Sequence, residues 1–144
     1  MSCYLLDTNI LIPLLWPNHT SQVKVLKWFR ANAESSFATC SLTQAGFLRI
    51  TTTPAAMKVV YKLHEAKQLL FECTKRPGHK FLQTNISIFE AMAPFEKRMQ
   101  GAKQITDAYL LGIARHHGAK LATFDKAIKS LAGPEHAHFV ELLS

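Results

Sequence analysis

The sequence predicts an α/β protein of three layers, with a central, mainly parallel sheet flanked by helices. Three observations lead to that class. Short apolar runs at 3–6, 37–40 and 121–124 alternate with segments whose apolar residues recur at helical spacing. The first and last of those runs stop at an aspartate, where a helical pattern begins. The chain's 144 residues, 48% apolar and 19% charged, suit one compact domain with its own core, and no repeat, low-complexity tract or linker divides them. Strands alternating with helices in this way form a parallel sheet covered on both faces.

Cys3-Tyr4-Leu5-Leu6 reads as a buried strand. A short helix is expected over 10–15, closed by the Trp16-Pro17-Asn18 turn. From Ser21 the period changes: Gln22, Val25, Leu26, Phe29 and Ala33 fall at helical spacing beside a basic stripe of Lys24, Lys27 and Arg30. A second strand follows at 37–40. Ser41-Leu42-Thr43-Gln44 has the form of a capping box, with Ser41 as N-cap, and opens a helix that runs towards Thr51 and stops before Pro54. A long helix is expected from 55 to about 75, with Val59, Leu63, Ala66, Leu70 and Cys73 along one side and Pro77-Gly78 at its end.

Residues 81–88 are ambiguous between strand and loop. Ser87 and Glu90 suggest a further capping box, leading a helix that ends near Gly101. Thr106 and Asp107 cap a run of small and apolar residues over 108–114, which Arg115, His116, His117 and then Gly118 close; cap, basic last turn and glycine agree on a largely buried helix. The strand at 121–124 ends at Asp125, a short helix follows over 126–131 before Gly133-Pro134, and 139–143 adds an edge strand.

Seventeen Lys and Arg against 10 Asp and Glu give +7, which favours a polyanion over a basic protein as partner. Cys3, Cys40 and Cys73 are widely spaced without a C-x-x-C pair, so they read as small buried hydrophobes rather than a disulfide framework or zinc site. No basic segment precedes the first apolar run, and no stretch approaches the roughly 18–20 apolar residues of a membrane span. The expectation is a soluble, cytoplasmic protein with no membrane partner. The P-loop, the G-x-S-x-G elbow, the dinucleotide fingerprint and a metalloprotease His pair are all missing.

The chain holds three aspartates, and their positions carry the functional reading. Asp7 and Asp125 each end a strand and begin a helix, while Asp107 opens the most buried helix. Ligands of a parallel α/β sheet bind outside the carboxyl ends of its strands, so the first two acids are directed to one edge, and Asp107 joins them if its helix starts there. Singly, each is explained as a helix cap. Together they are not, because ordinary caps mix Ser, Thr, Asn and Asp. Clustered carboxylates take up protons unless a cation neutralises them, and oxygen ligands without Cys or paired His favour Mg²⁺ or Mn²⁺ over zinc.

LLDTNILI at the amino end, SLTQAGFLRI, QITDAYLLGIAR and LATFD together resemble the PIN-domain ribonucleases, most closely the VapC toxins of bacterial toxin–antitoxin systems. The likeness runs from about Tyr4 to Leu131, with the motifs in the family's order. It implies a PIN-like fold and cleavage of RNA with Mg²⁺, or Mn²⁺, held by acidic side chains. By position, Asp7 matches the first acid, Asp107 the third and Asp125 the fourth; these are the implied metal ligands and, with Gln44, the implied catalytic set. Thr8 and Asn9 stand where polar residues support the first acid. Asn9 and Thr123 are candidate substrate-binding positions, and Arg49, on the same helix as Gln44 and five positions on, is a third candidate substrate contact. The likeness also implies a homodimer neutralised by a cognate antitoxin. Gln44 departs from the pattern, since it replaces the family's second acid, a Glu. An amide holds a water or a cation without charge and cannot act as a base, so weaker metal binding and slower hydrolysis are expected. Whether Gln44 is natural or an introduced isostere is open.

Lys75, Arg76, His79 and Lys80 cluster around a turn and, with the Lys24 stripe and Arg49, are candidate phosphate contacts if they border the acids. Leu14, Leu15 and Trp16 are candidate partner contacts or core. The alternative to a ribonuclease is an RNA- or protein-binding module on the same fold, disarmed at position 44. A receiver-like phosphoacceptor fails on net charge and on the lack of a mid-chain Asp.

Overall fold

A computed structural model describes every residue except Met1 and Lys58. Five strands form one sheet: β1 (Cys3–Leu6), β2 (Ser36–Cys40), β3 (His79–Leu82), β4 (Lys120–Thr123) and β5 (Val140–Leu142). Their spatial order is β3-β2-β1-β4-β5 and every pair is parallel. Seven helices complete the fold: α1 (Thr8–Leu15), α2 (Gln22–Ala31), α3 (Ser41–Thr51), α4 (Leu63–Thr74), α5 (Ile88–Met92), α6 (Ile105–His116) and α7 (Lys126–His136). The expected three-layer α/β class holds.

Period-two alternation along β1 divides the interior into two cores. Tyr4 and Leu6 face one side, packed with Ile10, Leu11, Val25, Phe47 and Leu70 of α1 to α4. Leu5 faces the other, with Leu111 and Ile113 of α6, Ile128 and Leu131 of α7, and Phe95. The chain winds from β1 towards β2 and β3, then crosses back to β4 and β5. β1 and β4 therefore flank the point where the winding reverses, the place at which open α/β sheets bind ligands.

Four expected boundaries are corrected. The helix expected over 55–75 begins only at Leu63, where Glu65 Oε1 accepts the Lys62 N–H at 3.0 Å. Val59 and Leu63 are 64% and 58% exposed, so their helical spacing faces no core; core contact starts at Ala66. Lys58, within that expected span, lies outside the described residues. α3 is capped one residue earlier than expected: Cys40 is the N-cap and its N–H donates to Thr43 Oγ1 at 3.0 Å, leaving Ser41 and Gln44 out of the cap.

The helix expected from Ser87 to near Gly101 starts as read, with Ser87 Oγ accepting the Glu90 N–H at 3.1 Å. It then tightens into a 3₁₀ segment, Ala93–Arg98, because Pro94 has no N–H for an α-helical bond. Thr106 and Asp107 do not cap α6, whose N-cap is Gln104; Asp107 is its third residue, where the helix dipole favours a negative charge. The ambiguous 81–88 stretch is strand as far as Leu82. At Gly133 (φ 67°, ψ 179°) the backbone leaves helical geometry inside α7, as the Gly133-Pro134 signal indicates.

α5 and α6 pack closely because α6 has Gly112 at the crossing: a methyl group there would run into the backbone carbonyl of Ala91. A carbonyl in a helix cannot swing aside. Gly112→Ala is expected to destabilise the protein by about 2–3 kcal/mol, the cost of overpacking a core. Gly101→Ala, with nothing within 4 Å of the added carbon, is expected to be near neutral. Equal chemical-denaturation midpoints for the two variants would contradict this packing.

Candidate active site

The carboxyl edge of the sheet is where the three aspartates converge. Asp7 directly follows β1, and its N–H continues the β1–β4 pairing by donating to the Ala122 carbonyl at 2.9 Å. Its carboxylate is held at both oxygens, Oδ1 by the Thr8 N–H and Oδ2 by the Thr123 hydroxyl, each at 2.7 Å. The same Thr123 oxygen accepts Asn9 Nδ2 at 3.2 Å and the Asp125 N–H at 3.0 Å. Asn9 Oδ1 accepts the Phe124 N–H at 3.2 Å, and Asp125 Oδ1 accepts the Ala127 N–H at 2.9 Å. Asn9 and Thr123 thus splint the start of α1 to the β4–α7 turn.

Two of the expected substrate positions are placed as follows. Thr123 is fully buried, so its hydroxyl positions Asp7 and meets no substrate. Arg49 stands in the last turn of α3, roughly 7 Å further along the helix axis than Gln44, on the side leading away from the carboxyl edge. Asn9 keeps an exposed position while its amide serves the splint.

The charges interact. Burial raises the Asp107 carboxyl to about 6, with the charges on Asp7 and Asp125 adding to the rise. Burial also raises Asp7; the Thr123 hydroxyl and Thr8 N–H oppose that rise, and Asp125 reinforces it. No positive group is among the causes at either residue. Among the described residues, no three His, Cys, Asp or Glu side chains are grouped closely enough to hold a metal ion as they stand. The donor set fits a hard divalent cation that keeps part of its water shell: only oxygen ligands, mutual repulsion to relieve, and spacing too open for a closed protein cage.

Gln44 is tied to β2. Its Nε2 donates to Thr39 Oγ1 at 3.0 Å, and Thr39 Oγ1 lies 2.8 Å from His79 Nε2. Thr39 is fully buried. Burial lowers the half-exposed His79, which favours its neutral ring beside the Thr39 hydroxyl, while that oxygen accepts from Gln44. Among the described residues no hydrogen bond joins Gln44 to an aspartate. The Thr39–His79 link is absent from the sequence reading, because it depends on β2–β3 pairing in a stretch whose strand could not be read. Close approach of α3 to the site does have a sequence signal in Gly46, where a Cβ would lie 2.6 Å from Thr8 Oγ1.

The expected phosphate contacts lie elsewhere. Lys75 and Arg76 precede β3 and His79 begins it, so with Lys80 they sit at the amino ends of the strands. α2, which carries Lys24, Lys27 and Arg30, finishes beside the same edge, where Asn32 Oδ1 accepts the Tyr4 hydroxyl at 3.3 Å. Leu14, Leu15 and Trp16 are buried and belong to the core, not to a partner surface.

Comparison with known proteins adds to this geometry. Residues 4–134 match the PIN domain family. The chain is similar to ribonuclease VapC38 of Mycobacterium tuberculosis, 37% identical over 140 residues and covering 97% of both chains. It is also similar to ribonuclease VapC44 of the same organism, 34% identical over 130 residues, covering 90% of this chain and 91% of the other. Among solved structures, VapBC2 from Rickettsia felis bound to a promoter DNA fragment matches with TM-score 0.66 and 16% identity over 99% of each chain. FitAcB from Neisseria gonorrhoeae matches with TM-score 0.63 and 18% identity, over 98% of this chain and 96% of that one. Identities that low speak for the fold alone.

Asp107 makes stability pH-dependent. Its folded carboxyl is raised from 3.8 to about 6, so its contribution is fully present below the unfolded value and is lost as pH rises through about 6. Without divalent cation, the protein is therefore expected to melt higher at pH 5 than at pH 7 through this group, and Asp107→Asn to lessen the difference. The group is half exposed, and with the discount for solvent screening the effect is about 1 kcal/mol, or roughly 2–4 °C. A melting temperature whose pH dependence between 5 and 7 is unaltered in Asp107→Asn would contradict the cluster.

Proposed function

The chain belongs to the PIN-domain family, in its VapC branch, and from that premise we propose that it is a divalent-metal-dependent endoribonuclease: a toxin that hydrolyses RNA phosphodiesters and is neutralised by a cognate antitoxin. The observation that carries the reading is the convergence of Asp7, Asp107 and Asp125 at the sheet's switch point, with Asp107 pushed up to about 6 by burial and by the other two. Asp7, Asp107 and Asp125 would hold the ion, Mg²⁺ or Mn²⁺. Bound there, it would supply positive charge against the scissile phosphate and ease loss of a proton from the attacking water.

The chain's own groups divide the remaining work. Thr8 and Thr123 fix the direction of the Asp7 carboxylate and favour its charged form against burial. Asp125 is fixed by the first turn of α7 through the Ala127 N–H. Asp107, uncapped and raised, exchanges its proton near neutrality, so cation uptake is coupled to release of a proton. Gln44 brings no charge and is held through its amide to Thr39, which supports slower turnover than a Glu would give. The same tie favours a second reading, a binding module that has lost turnover.

The neutralising partner follows from the VapC reading, which rests on 37% identity to ribonuclease VapC38 over 97% of the chain. A homodimer is supported by apolar side chains left open on α4, with Leu63 58% and Phe71 55% exposed.

The test is cleavage of a structured RNA with Mg²⁺ or Mn²⁺ and with chelator. Asp7→Asn is expected to abolish cleavage, Gln44→Glu to raise it about 10-fold, and Thr123→Val to lower it roughly 10–100-fold through loss of the splint. Cleavage that survives chelator or Asp7→Asn would contradict the mechanism. RNA binding without cleavage in both the parent chain and Gln44→Glu would put the binding module first.

A further inference from the structure

A second set of cations, Lys97, Arg98 and Lys129, lies on the opposite face of the sheet from Lys24, Lys27, Arg30 and Lys75, on the 3₁₀ segment and α7. A hollow of about 450 Å³ lies between the 3₁₀ segment and α7, lined by Lys97, Arg98, Gln100, Gln104, Ala127 and Ser130 among others. Gln104 is the N-cap of α6, three residues before Asp107, and Ala127 is the residue whose N–H holds Asp125. The hollow therefore begins beside the residues that open α6 and α7, although no aspartate lines it. A second hollow of about 400 Å³ shares Arg98 and Ser130 and continues past Lys129 to Gly133 and Pro134. The two make one trough leading away from the aspartates along α7. Its described lining contains cations, amides and a hydroxyl but no carboxylate.

Two contacts shape the trough. Gln104 Oε1 accepts the Gln100 N–H at 2.7 Å, which ties down the wall leading into α6. α7 also breaks at Gly133, in the left-handed region at φ 67°, and the Arg98 side chain lies directly over that α-carbon; any side chain at position 133 would collide with the guanidinium. The break in α7 leaves room for the Arg98 side chain to lie across Gly133, which places its guanidinium in the trough.

We propose that this trough binds the RNA sugar–phosphate backbone on one side of the scissile bond, with Arg98 and Lys129 contacting successive phosphates and Ser130 donating to a phosphate oxygen. The assignment rests on the ribonuclease reading above and specifies where its substrate lies. A free anion would need one lobe; a backbone uses both, and it has to leave the aspartates by a path without acidic walls. The basic cluster of Lys75, Arg76 and Lys80, at the amino edge, takes no part.

The test is binding of a single-stranded RNA in chelator, where no cleavage occurs, measured across a range of salt concentrations. Each phosphate contact contributes a slope of about −0.7 in log affinity against log salt on single strands. Arg98→Ala with Lys129→Ala is expected to flatten the slope by about 1.4 and to weaken binding at low salt at least 10-fold. Arg98→Lys, which keeps the charge, should retain most of the slope, while Lys75→Ala with Lys80→Ala should leave it unchanged. The 75/80 pair flattening the slope while the 98/129 pair does not would overturn the trough and leave the nuclease reading standing. Loss of slope in the 98/129 pair without metal-dependent cleavage by the parent chain would uphold the trough and reject the nuclease. A parent chain with no salt-dependent affinity for RNA would overturn both.

Discussion

The parallel pairing of β1 with β4 is the constraint on which the rest of the molecule depends. Its register sets Tyr4 against Lys120, Leu5 against Leu121 and Leu6 against Ala122, and the Asp7 N–H extends the ladder to the Ala122 carbonyl at 2.9 Å. A slip of one residue would turn Leu5 and Leu6 to the wrong cores, so apolar burial on both faces fixes the register. Once it is fixed, Asp7 and Thr123 stand side by side at the carboxyl edge. The 2.7 Å bond between them converts sheet register into the direction of a carboxylate. The second core then delivers α6, whose first turn brings Asp107 to the same place.

That arrangement costs stability. Burial disfavours the charged forms of Asp7 and Asp107, the neighbouring acids add to that, and no cation offsets it. The fold spends hydrogen bonds on Asp7 and Asp125, leaving Asp107 as the group that yields by taking up a proton. A site strained in this way is poised for a cation in a manner that a neutral pocket is not. Position 44 shows the complement: its amide is satisfied by Thr39, so the site loses a charge there without leaving a polar group unpaired.

Much of this was legible in the sequence, for physical reasons. Buried parallel strands leave continuous apolar runs, and their ends are marked by the aspartates, so the sheet and its carboxyl edge could be read from Leu6-Asp7 and Phe124-Asp125. Convergence of Asp107 needed the three-dimensional path of α6. Other features resisted because local pattern and tertiary contact disagree. Val59 and Leu63 have core-like spacing but face outwards, which lengthened the expected fourth helix. The Cys40–Thr43 cap is displaced by one residue from the Ser41–Gln44 box that resembles it. Charge clusters gave no indication of which sheet edge they would occupy, so Lys75 and Lys80 were offered as phosphate contacts while Arg98 and Lys129 were passed over. The Thr39–His79 contact joins residues 40 apart in sequence and leaves no local trace.

The most direct measurement is the melting temperature at pH 7 with increasing Mg²⁺ or Mn²⁺, for the parent chain and for Asp7→Asn, Asp107→Asn and Asp125→Asn. If the aspartates form one cation site, the parent chain gains stability with the ion, about 2.7 kcal/mol at a hundredfold excess over its dissociation constant. Each variant then gains less while starting from a higher melting temperature in chelator. Equal gains in all four proteins, or variants that melt no higher than the parent in chelator, would contradict a shared site.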